Sequence, residues 1–437
     1  MKPPVIRFAL AIAGILLPAQ IARAQEAHEQ PATDPRLTGD WGGARTKLED
    51  AGVTLSAHYW SETAGNPVGG FKQAVRYTQQ LDLLVELDLA RLAGIDGGEV
   101  RIALDDRVGG SLSNDAIGNV FPVQQLYGAG QNLRLSELSY VQRLLDGKVE
   151  FQIGWSPLGN SFAGNPYACY FQNNGVCGKP IGIAQDSGGA HNYPVAQWGA
   201  RLRIAMPKDI YAAAGIYQVN PHLGDKDYGF NLTFQSTGVL MPFEIGWEPN
   251  LGSARLPGQY RVGVYYNTSP SPDVLLDVNG QSAGLTGAPF LQRRSRFGFY
   301  LMASQKIFVE QPGSKRGLAL FASYARGDPH VALFGNSWEI GAVYQGTFRG
   351  RDNDYISAVF ASGQFNPRLT QYQVDRDIVL PGSVGVQRYE RFAEVDYNFQ
   401  AAPWLSLRPG LQYVLHPGGT GQIPDALVIG LDARITF

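Results

Sequence analysis

Charged side chains recur at alternate positions in several segments of the 437-residue chain, with apolar residues between them. The charged residues that we assign to one common face are Glu99, Arg101, Asp105, Glu137, Arg201, Arg203, Arg261, Arg296, Glu394, Asp396 and Arg408. Guanidinium and carboxylate groups supply strong hydrogen-bond donors and acceptors for the hydroxyl groups of an uncharged solute. We expect these residues to bind such a solute weakly. The alternative for any one of them is that it only pairs with a neighbouring charge and hydrates the surface.

One segment matches a hydrolase motif, Gly280-Gln281-Ser282-Ala283-Gly284. A serine nucleophile of that type sits on a sharp turn between a strand and a helix. Here the motif falls in a predicted long loop, and we expect no helix after it. The sequence contains no His-Glu-x-x-His motif, no phosphate loop and no dinucleotide-binding fingerprint. We therefore predict neither an enzyme nor a cofactor, and a hydrolase on a barrel scaffold is the less favoured alternative.

The chain has two cysteines, Cys169 and Cys177, with seven residues between them. In an exported protein such a pair usually closes a loop as a disulfide. A metal site would need more ligands close by, and only His191 is near in sequence. We predict a disulfide and no metal site.

The N-terminal residues have the composition of a secretory signal. Two basic residues flank the start of the apolar run Phe8–Leu17, which is too short to span a bilayer. Ala22-Arg23-Ala24 follows as the small-x-small site that a signal peptidase accepts. We predict that residues 1–24 are the signal peptide and that cleavage between Ala24 and Gln25 makes Gln25 the mature N-terminus.

The composition of the remaining chain excludes some classes of protein. Removal of the signal leaves 33 basic and 38 acidic residues, so nucleic acid is not an expected partner. The mean hydropathy is −0.15, and no run of 18 apolar residues follows the signal, so no transmembrane helix is predicted. An exported chain of this kind is either soluble or a β-barrel, and the period of its apolar pattern decides between the two.

The last segment of the chain shows this period most clearly. Leu427, Ile429, Leu431, Ala433, Ile435 and Phe437 form an apolar face, whereas Ala426, Val428, Gly430, Asp432, Arg434 and Thr436 form the other face. A period of two is that of a β-strand. The segments run for about ten residues, the length a tilted strand needs to cross a bilayer. A final strand that ends in Phe resembles Gram-negative outer-membrane barrels, whose assembly machinery recognises it.

About sixteen such segments occur along the chain. They begin near positions 53, 76, 99, 134, 148, 197, 210, 240, 259, 294, 317, 337, 354, 388, 404 and 426. An even number suits a closed antiparallel barrel with both ends in the periplasm. We predict an all-β fold, a transmembrane antiparallel barrel of about sixteen strands over residues 53–437. A periplasmic leader over residues 25–52 precedes it, with a short helix that Asp40 caps and Gly52 ends.

The lengths of the connections support the barrel. The long connections fall near 107–133, 156–196, 220–239, 268–293 and 363–387. If every second connection between strands is an outer loop, all five are outer loops. Short turns occupy the positions between them. Soluble folds have no reason to sort connections in this way, whereas outer-membrane barrels have short periplasmic turns and long outer loops.

Several segments resemble one family of these barrels. LTGDWGGARTKLEDAGV (Leu37–Val53) is similar to the N-terminal signature of the carbohydrate-selective porins of the OprB type. CYFQNNGVCG (Cys169–Gly178), MPFEIGWEPN (Met241–Asn250) and PWLSLRPGLQYVLHPGG (Pro403–Gly419) are similar to further parts of the family. The resemblance implies a porin of the bacterial outer membrane that facilitates diffusion of glucose and related sugars. A general porin without sugar preference is the alternative.

The resemblance also sets the expected partners. These are monosaccharides or small oligosaccharides, outer-membrane lipid and the barrel assembly machinery, which would act through Phe437; assembly into a homotrimer is left open. In sixteen-stranded porins the third outer loop commonly folds into the lumen. The loop over residues 156–196 is expected to do so here, with an outward-facing loop as the alternative.

Overall fold

The computed structural model describes residues 36–311 and 313–437. The predicted signal peptide, with its cleavage site at Ala24 and Gln25, lies outside the described residues. Within them, no helix is both long enough and apolar enough to cross a membrane.

Sixteen long antiparallel strands form a closed barrel in the described part of the chain. Strands β1 to β16 span Val53–Val68, Val75–Asp88, Gly98–Gly109, Leu133–Leu144, Val149–Ser156, Gln197–Met206, Ile210–Val219, Gly238–Trp247, Leu256–Asn267, Arg296–Val309, Gly317–Gly327, Phe334–Gln345, Tyr355–Phe365, Tyr389–Ala402, Leu405–Leu415 and Ala426–Thr436. Each pairs with its neighbours in sequence, and β1 also pairs with β16. Every predicted strand begins within three residues of an observed one, so the predicted fold is confirmed.

The remaining helices and strands are short and are not part of the barrel wall. The helices α1 to α5 span Ala44–Ala51, Leu89–Ala93, Ile181–Asp186, Ala283–Thr286 and Pro367–Val379. Three short strands span Asn250–Leu251, Ser271–Asp277 and Phe290–Arg293; the first pairs with the start of β9, and the other two pair with each other.

The two faces of the wall differ as the two-residue period predicts. Outward side chains such as Leu81, Val262, Ile340 and Ile429 are apolar and exposed, as expected where lipid surrounds a barrel. Inward positions carry most of the buried polar groups. One irregularity lies in β4, where the register against β3 shifts near Ser136. This bulge keeps both Arg134 and Glu137 on the inner face.

Strands of alternating direction place the connections at two ends of the barrel. One end carries the turns, such as 145–148 and 207–209, together with both described termini. The other end carries eight loops, which we name L1 to L8: 69–74, 110–132, 157–196, 220–237, 268–295, 328–333, 366–388 and 416–425. The five connections that were predicted to be long are L2, L3, L4, L5 and L7.

Helix α1 packs against β1 at the turn end. The N-cap residue is Gly43 and not Asp40 as predicted, although Asp40 Oδ1 accepts a hydrogen bond from Thr46 N in the first turn at 2.9 Å; Gly52 ends the helix with a φ of 97°, as predicted. The buried Arg45 stacks on Trp41 at 4.2 Å and donates to Phe437 O at 3.1 Å. The Trp-Gly-Gly-x-Arg motif therefore attaches the N-terminal helix to the last strand.

Candidate functional site

Loop L3 crosses the interior of the barrel. Its Ala163 N donates to Glu244 on β8 at 2.8 Å, and its Gln172 N donates to Glu394 on β14 at 2.6 Å. Asp186, also in L3, accepts from Leu333 N at 2.7 Å. These contacts lie on widely separated strands, so the loop folds into the lumen, and the outward-facing alternative is wrong.

Loop L2 lies beside L3 and is joined to it by main-chain hydrogen bonds. Gln125 N donates to Gln172 O at 3.0 Å, and Asn174 N donates to Pro122 O at 2.8 Å. Phe121 of L2 packs between two phenylalanines of the wall. Its ring centroid lies 5.7 Å from that of Phe334 and 5.4 Å from that of Phe392. The two loops therefore form one apolar-backed plug against β12 to β16.

An opening remains between this plug and the wall formed by β1 to β3. We name it the eyelet and define it by its lining residues: Trp60, Gln80, Arg107, Gln125, Leu126, Gly159, Asn160, Cys169, Asn174, Cys177, Gly178, Asn192 and Tyr193. It encloses about 470 Å³, counting the part that is open to solvent. The predicted disulfide between Cys169 and Cys177 is present and forms part of the rim.

Hydrogen bonds fix the polar side chains of the eyelet. Arg107 Nε donates to Gln80 Oε1 at 2.9 Å, and its Nη1 donates to Gln125 O at 3.4 Å. Trp60 Nε1 donates to Asp432 Oδ2 at 2.5 Å, while the guanidinium of Arg434 lies 3.5 Å from the centre of the Trp60 ring. The eyelet therefore has the edge of a largely buried indole beside oriented amide and guanidinium groups, and those polar groups can bond the hydroxyls of a sugar.

An array of ion pairs, made of one group from Glu99 to Arg201 and a second group around Glu248, lies along the inner wall of β3 to β9, towards the turn end. We name it the ion-pair belt; its members are Glu99, Arg101, Arg143, Glu150, Arg201, Arg203, Glu248 and Arg261. Arg143 Nη1 lies 2.7 Å from Glu99 and its Nε lies 3.0 Å from Glu150, which also pairs with Arg201. Arg203 and Arg261 pair with Glu248 at 3.1 and 3.7 Å.

The eleven residues predicted to contact solute all lie on inner faces of strands, but in different surroundings. Five of them, Glu99, Arg101, Arg201, Arg203 and Arg261, belong to the ion-pair belt. Asp105 and Glu137 are buried on β3 and β4, and Arg296 lies beside L5, where its Nη2 donates to Pro270 O at 3.4 Å. Glu394, Asp396 and Arg408 lie behind L3. Solute contact stays a prediction for all eleven.

Several residues of the eyelet were not predicted. Gln80 was recognised only as the polar side of β2, and Arg107 was assigned to a loop, whereas β3 continues to Gly109. Extending the same two-residue period from Arg101 would have found Arg107. Nothing in the sequence indicated Asn160, Asn192 or Tyr193, because only the path of L3 brings them to the opening.

Burial changes the titration of groups inside L3. Burial lowers the pKa of Lys179 to about 7, and its Nζ donates to His191 O at 2.8 Å. Burial, together with the charge of Lys179, lowers the pKa of His191 to about 4. Burial raises the pKa of Asp186 to about 7, although two backbone N–H groups partly offset this. Burial in the loop therefore disfavours the charged form of all three groups.

The serine motif in L5 has a structural role. Ser282 Oγ donates to Asp375 Oδ2 of helix α5 at 2.5 Å, which joins L5 to L7. The expectation that no helix follows the motif was wrong, since the four-residue helix α4 begins at Ala283. The described residues contain no group of three or more His, Cys, Asp or Glu side chains that could hold a metal ion.

The chain is similar to known proteins along most of its length. The sequence profile of the carbohydrate-selective porin, OprB family, matches residues 72–437. Porin B of Pseudomonas aeruginosa is 35% identical over 430 residues, covering 94% of each chain. Putative porin QuiX of Acinetobacter baylyi is 29% identical and covers 92% of this chain and 93% of its own. The high-pH structure of Pseudomonas putida OprB superposes with a TM-score of 0.89 at 34% identity, covering 92% of this chain and 99% of that one.

Proposed function

This chain belongs to the carbohydrate-selective porin family of the OprB type and is a carbohydrate channel of the bacterial outer membrane, not an enzyme; from that premise we propose that the eyelet is where it recognises its solute. The observation that supports this most strongly is that Trp60, Gln80 and the guanidinium of Arg107 meet at the eyelet beside L2 and L3. Its solutes are monosaccharides or small oligosaccharides.

The groups at the eyelet suit an uncharged, hydroxylated ring. Arg107 has guanidinium donors next to the amide of Gln80, so adjacent hydroxyls of a sugar can bond to both. Trp60 is 4% exposed and Arg434 covers one face of its ring, so the exposed edge of the indole would add a small apolar contact with the C–H groups of the sugar. A few such contacts bind weakly, and weak binding allows the solute to leave again.

The ion-pair belt would then form the vestibule below the eyelet. Each of its five arginines pairs with at least one of its three glutamates, so the belt keeps a formal excess of two positive charges. The five predicted residues in the belt are proposed to offer exchangeable hydrogen bonds to sugar that has passed the eyelet. Asp105, Glu137 and Arg296 remain proposals of the same kind.

The eyelet can be tested by Trp60→Phe and Arg107→Gln in the full-length protein. Arg107→Gln should weaken the block of single-channel conductance by glucose by about tenfold, the effect of losing one charge-assisted contact, and Trp60→Phe, which keeps a smaller aromatic ring, should weaken it less. Trp338→Phe is the matched control, since Trp338 faces outward from β12. Equal block in all of these variants would place recognition elsewhere, and indifference of the wild-type conductance to saturating sugar would favour a general porin.

The remaining expectations are proposals that rest mainly on the sequence. We propose cleavage after Ala24, a periplasmic leader over residues 25–52 and a barrel domain over residues 53–437. The proposed partners are outer-membrane lipid, the assembly machinery, which would recognise Phe437, and two further copies of the chain in a homotrimer. Mass spectrometry of the mature N-terminus and native mass spectrometry in detergent would test the first and last of these.

A further inference from the structure

Strand β14 holds both loops that form the eyelet. Its inner face presents Glu390, Phe392 and Glu394 at successive inward positions. Glu390 accepts hydrogen bonds from Val120 N and Phe121 N of L2, both at 2.8 Å. It also accepts one from Gly418 N of L8 at 2.7 Å. Because Glu390 and Glu394 are completely or almost completely buried, these bonds are shielded from water.

The second carboxylate of the same strand holds L3. Glu394 Oε1 accepts from Gln172 N at 2.6 Å, and Oε2 accepts from Asn173 N at 3.1 Å. Between the two carboxylates, Phe392 packs against Phe121 of L2 at 5.4 Å. We name Glu390 and Glu394 the carboxylate clamp. Its two members are four residues apart, so one rigid strand fixes L2 and L3 relative to each other.

Arg408 on β15 holds the same part of L3 as a hydrogen-bond donor, whereas Glu394 holds it as an acceptor. Its Nη1 donates to Cys169 O and its Nη2 donates to Phe171 O, both at 3.0 Å, while Nη2 also lies 2.6 Å from Asp432 Oδ2. In the main chain from residue 169 to residue 173, the carbonyl groups therefore accept hydrogen bonds from a guanidinium, and the N–H groups donate hydrogen bonds to a carboxylate. Both bonds are charge-assisted and thus among the strong ones.

The held segment is continuous with the rim of the eyelet. Cys169, Asn174, Cys177 and Gly178 line the opening, and the Cys169–Cys177 disulfide restricts the segment between them. A displacement of residues 169–173 from the wall would therefore move the rim as well. The width of the opening depends on groups that lie behind the loop, out of reach of the solute.

We propose that Glu390, Glu394 and Arg408 are positioning residues that set the size limit of the channel by fixing L2 and L3 at the eyelet. This inference rests on the proposed recognition of solute at the eyelet. It assigns to Glu394 and Arg408 a role that differs from the direct solute contact predicted from strand period alone.

The test uses liposome swelling by the full-length protein with a monosaccharide, a disaccharide and a trisaccharide. In Glu394→Gln one of the two acceptor oxygens becomes an NH2 donor that faces an N–H of L3. We expect the ratio of trisaccharide to monosaccharide swelling to rise about tenfold, the factor implied by a lost charge-assisted hydrogen bond and a shifted loop equilibrium. Glu390→Gln should show the same change through L2.

Two further variants keep the test decisive. Glu339→Gln is the matched control, since Glu339 is an inner-face carboxylate of β12 that is also buried and, among the described residues, receives no loop N–H. Arg408→Lys keeps the charge beside Asp432 but cannot hold two carbonyl groups in a fork, so it tests the clamp if an amide variant fails to fold.

The outcomes separate this proposal from the previous one. Swelling ratios in Glu394→Gln, Glu390→Gln and Arg408→Lys that equal the ratio in Glu339→Gln would overturn the clamp. Unchanged glucose block in both Trp60→Phe and Arg107→Gln would instead overturn recognition at the eyelet. The swelling ratios of the clamp variants would still report whether the clamp sets the size limit. A raised ratio together with a retained, heat-modifiable barrel supports the clamp.

Discussion

The walls on opposite sides of the lumen use the same residue types in different ways. On β3 to β9, arginine and glutamate side chains pair with one another in the ion-pair belt, and Arg143 and Glu150 keep 29% and 20% of their side chains exposed. On β14 and β15, Glu394 and Arg408 are about 1% exposed and bond to the main chain of L3. An inward charge can therefore serve the solute path or hold the loop that narrows it.

The partner decides which role a charge has. A side-chain ion pair in a water-filled lumen can be replaced by hydration, so it contributes little to stability and remains available to a passing solute. A carboxylate or guanidinium that is bonded to buried main-chain groups cannot be replaced without leaving those groups unpaired. The following variants test this contrast, from the largest expected effect to the smallest.

Arg408→Ala should destabilise the protein most. The change leaves Asp432 and the carbonyl groups of Cys169 and Phe171 buried with fewer partners, and removal of one partner of a buried pair costs about 3–5 kcal/mol. The midpoint temperature of heat modification on gels measures the loss. Arg143→Ala, in the belt, is the control, and an equal loss in both variants would remove the contrast between the two walls.

Lys179→Met should stabilise the protein near neutral pH by about 1 kcal/mol, because an apolar side chain of similar size replaces a buried amine and the loss of the donor to His191 O offsets part of that gain. Burial lowers the pKa of Lys179 to about 7, below its unfolded value of 10.5. The unfolded chain thus takes up a proton first as the pH falls, and the stability present above pH 10.5 is lost down to about pH 7. The variant should lack this slope.

Heat-modification midpoints between pH 6 and pH 10 would measure the Lys179 effect. The exposed Lys226 in L4 provides a control through Lys226→Met, which should retain the pH dependence of the unmodified protein. A parallel slope in Lys179→Met and Lys226→Met would show that burial of this amine in L3 has no bearing on stability.

Arg201→Ala combined with Arg203→Ala should change stability least. Arg201 and Arg203 are buried, but Glu150 and Glu248 keep 20% and 16% of their side chains exposed, so water can reach the freed carboxylates. The cost of each substitution should therefore stay below the ~3–5 kcal/mol expected for Arg408→Ala. We expect a folded, heat-modifiable barrel with weaker sugar block in conductance recordings. Unchanged conductance and unchanged block would mean that these arginines lie away from the solute path, and a collapse of the barrel would contradict the contrast.

The sequence predicted the wall of the barrel well and the eyelet only in part. The alternation in β16 and β2 identified which residues face inward, because that period follows directly from strand geometry. The sequence analysis did not include Glu390 or Glu244 among the predicted site residues, and it placed Arg107 in a loop. The GxSxG motif showed the opposite error, since its expected lack of a following helix was wrong although the protein is not an enzyme.

The amino-acid sequence by itself determined the barrel, since a two-residue period in about sixteen strands of bilayer-spanning length, with long loops at every second connection, fits a sheet that meets lipid on one side and polar groups on the other. Only the tertiary structure decided which inward charges meet water and which meet L3. Gln172 and Glu394 are 222 positions apart in the chain, and their hydrogen bond depends on the path of L3 across the lumen. Strand period carries no information about that path, because it records the side of the wall and not what lies against it.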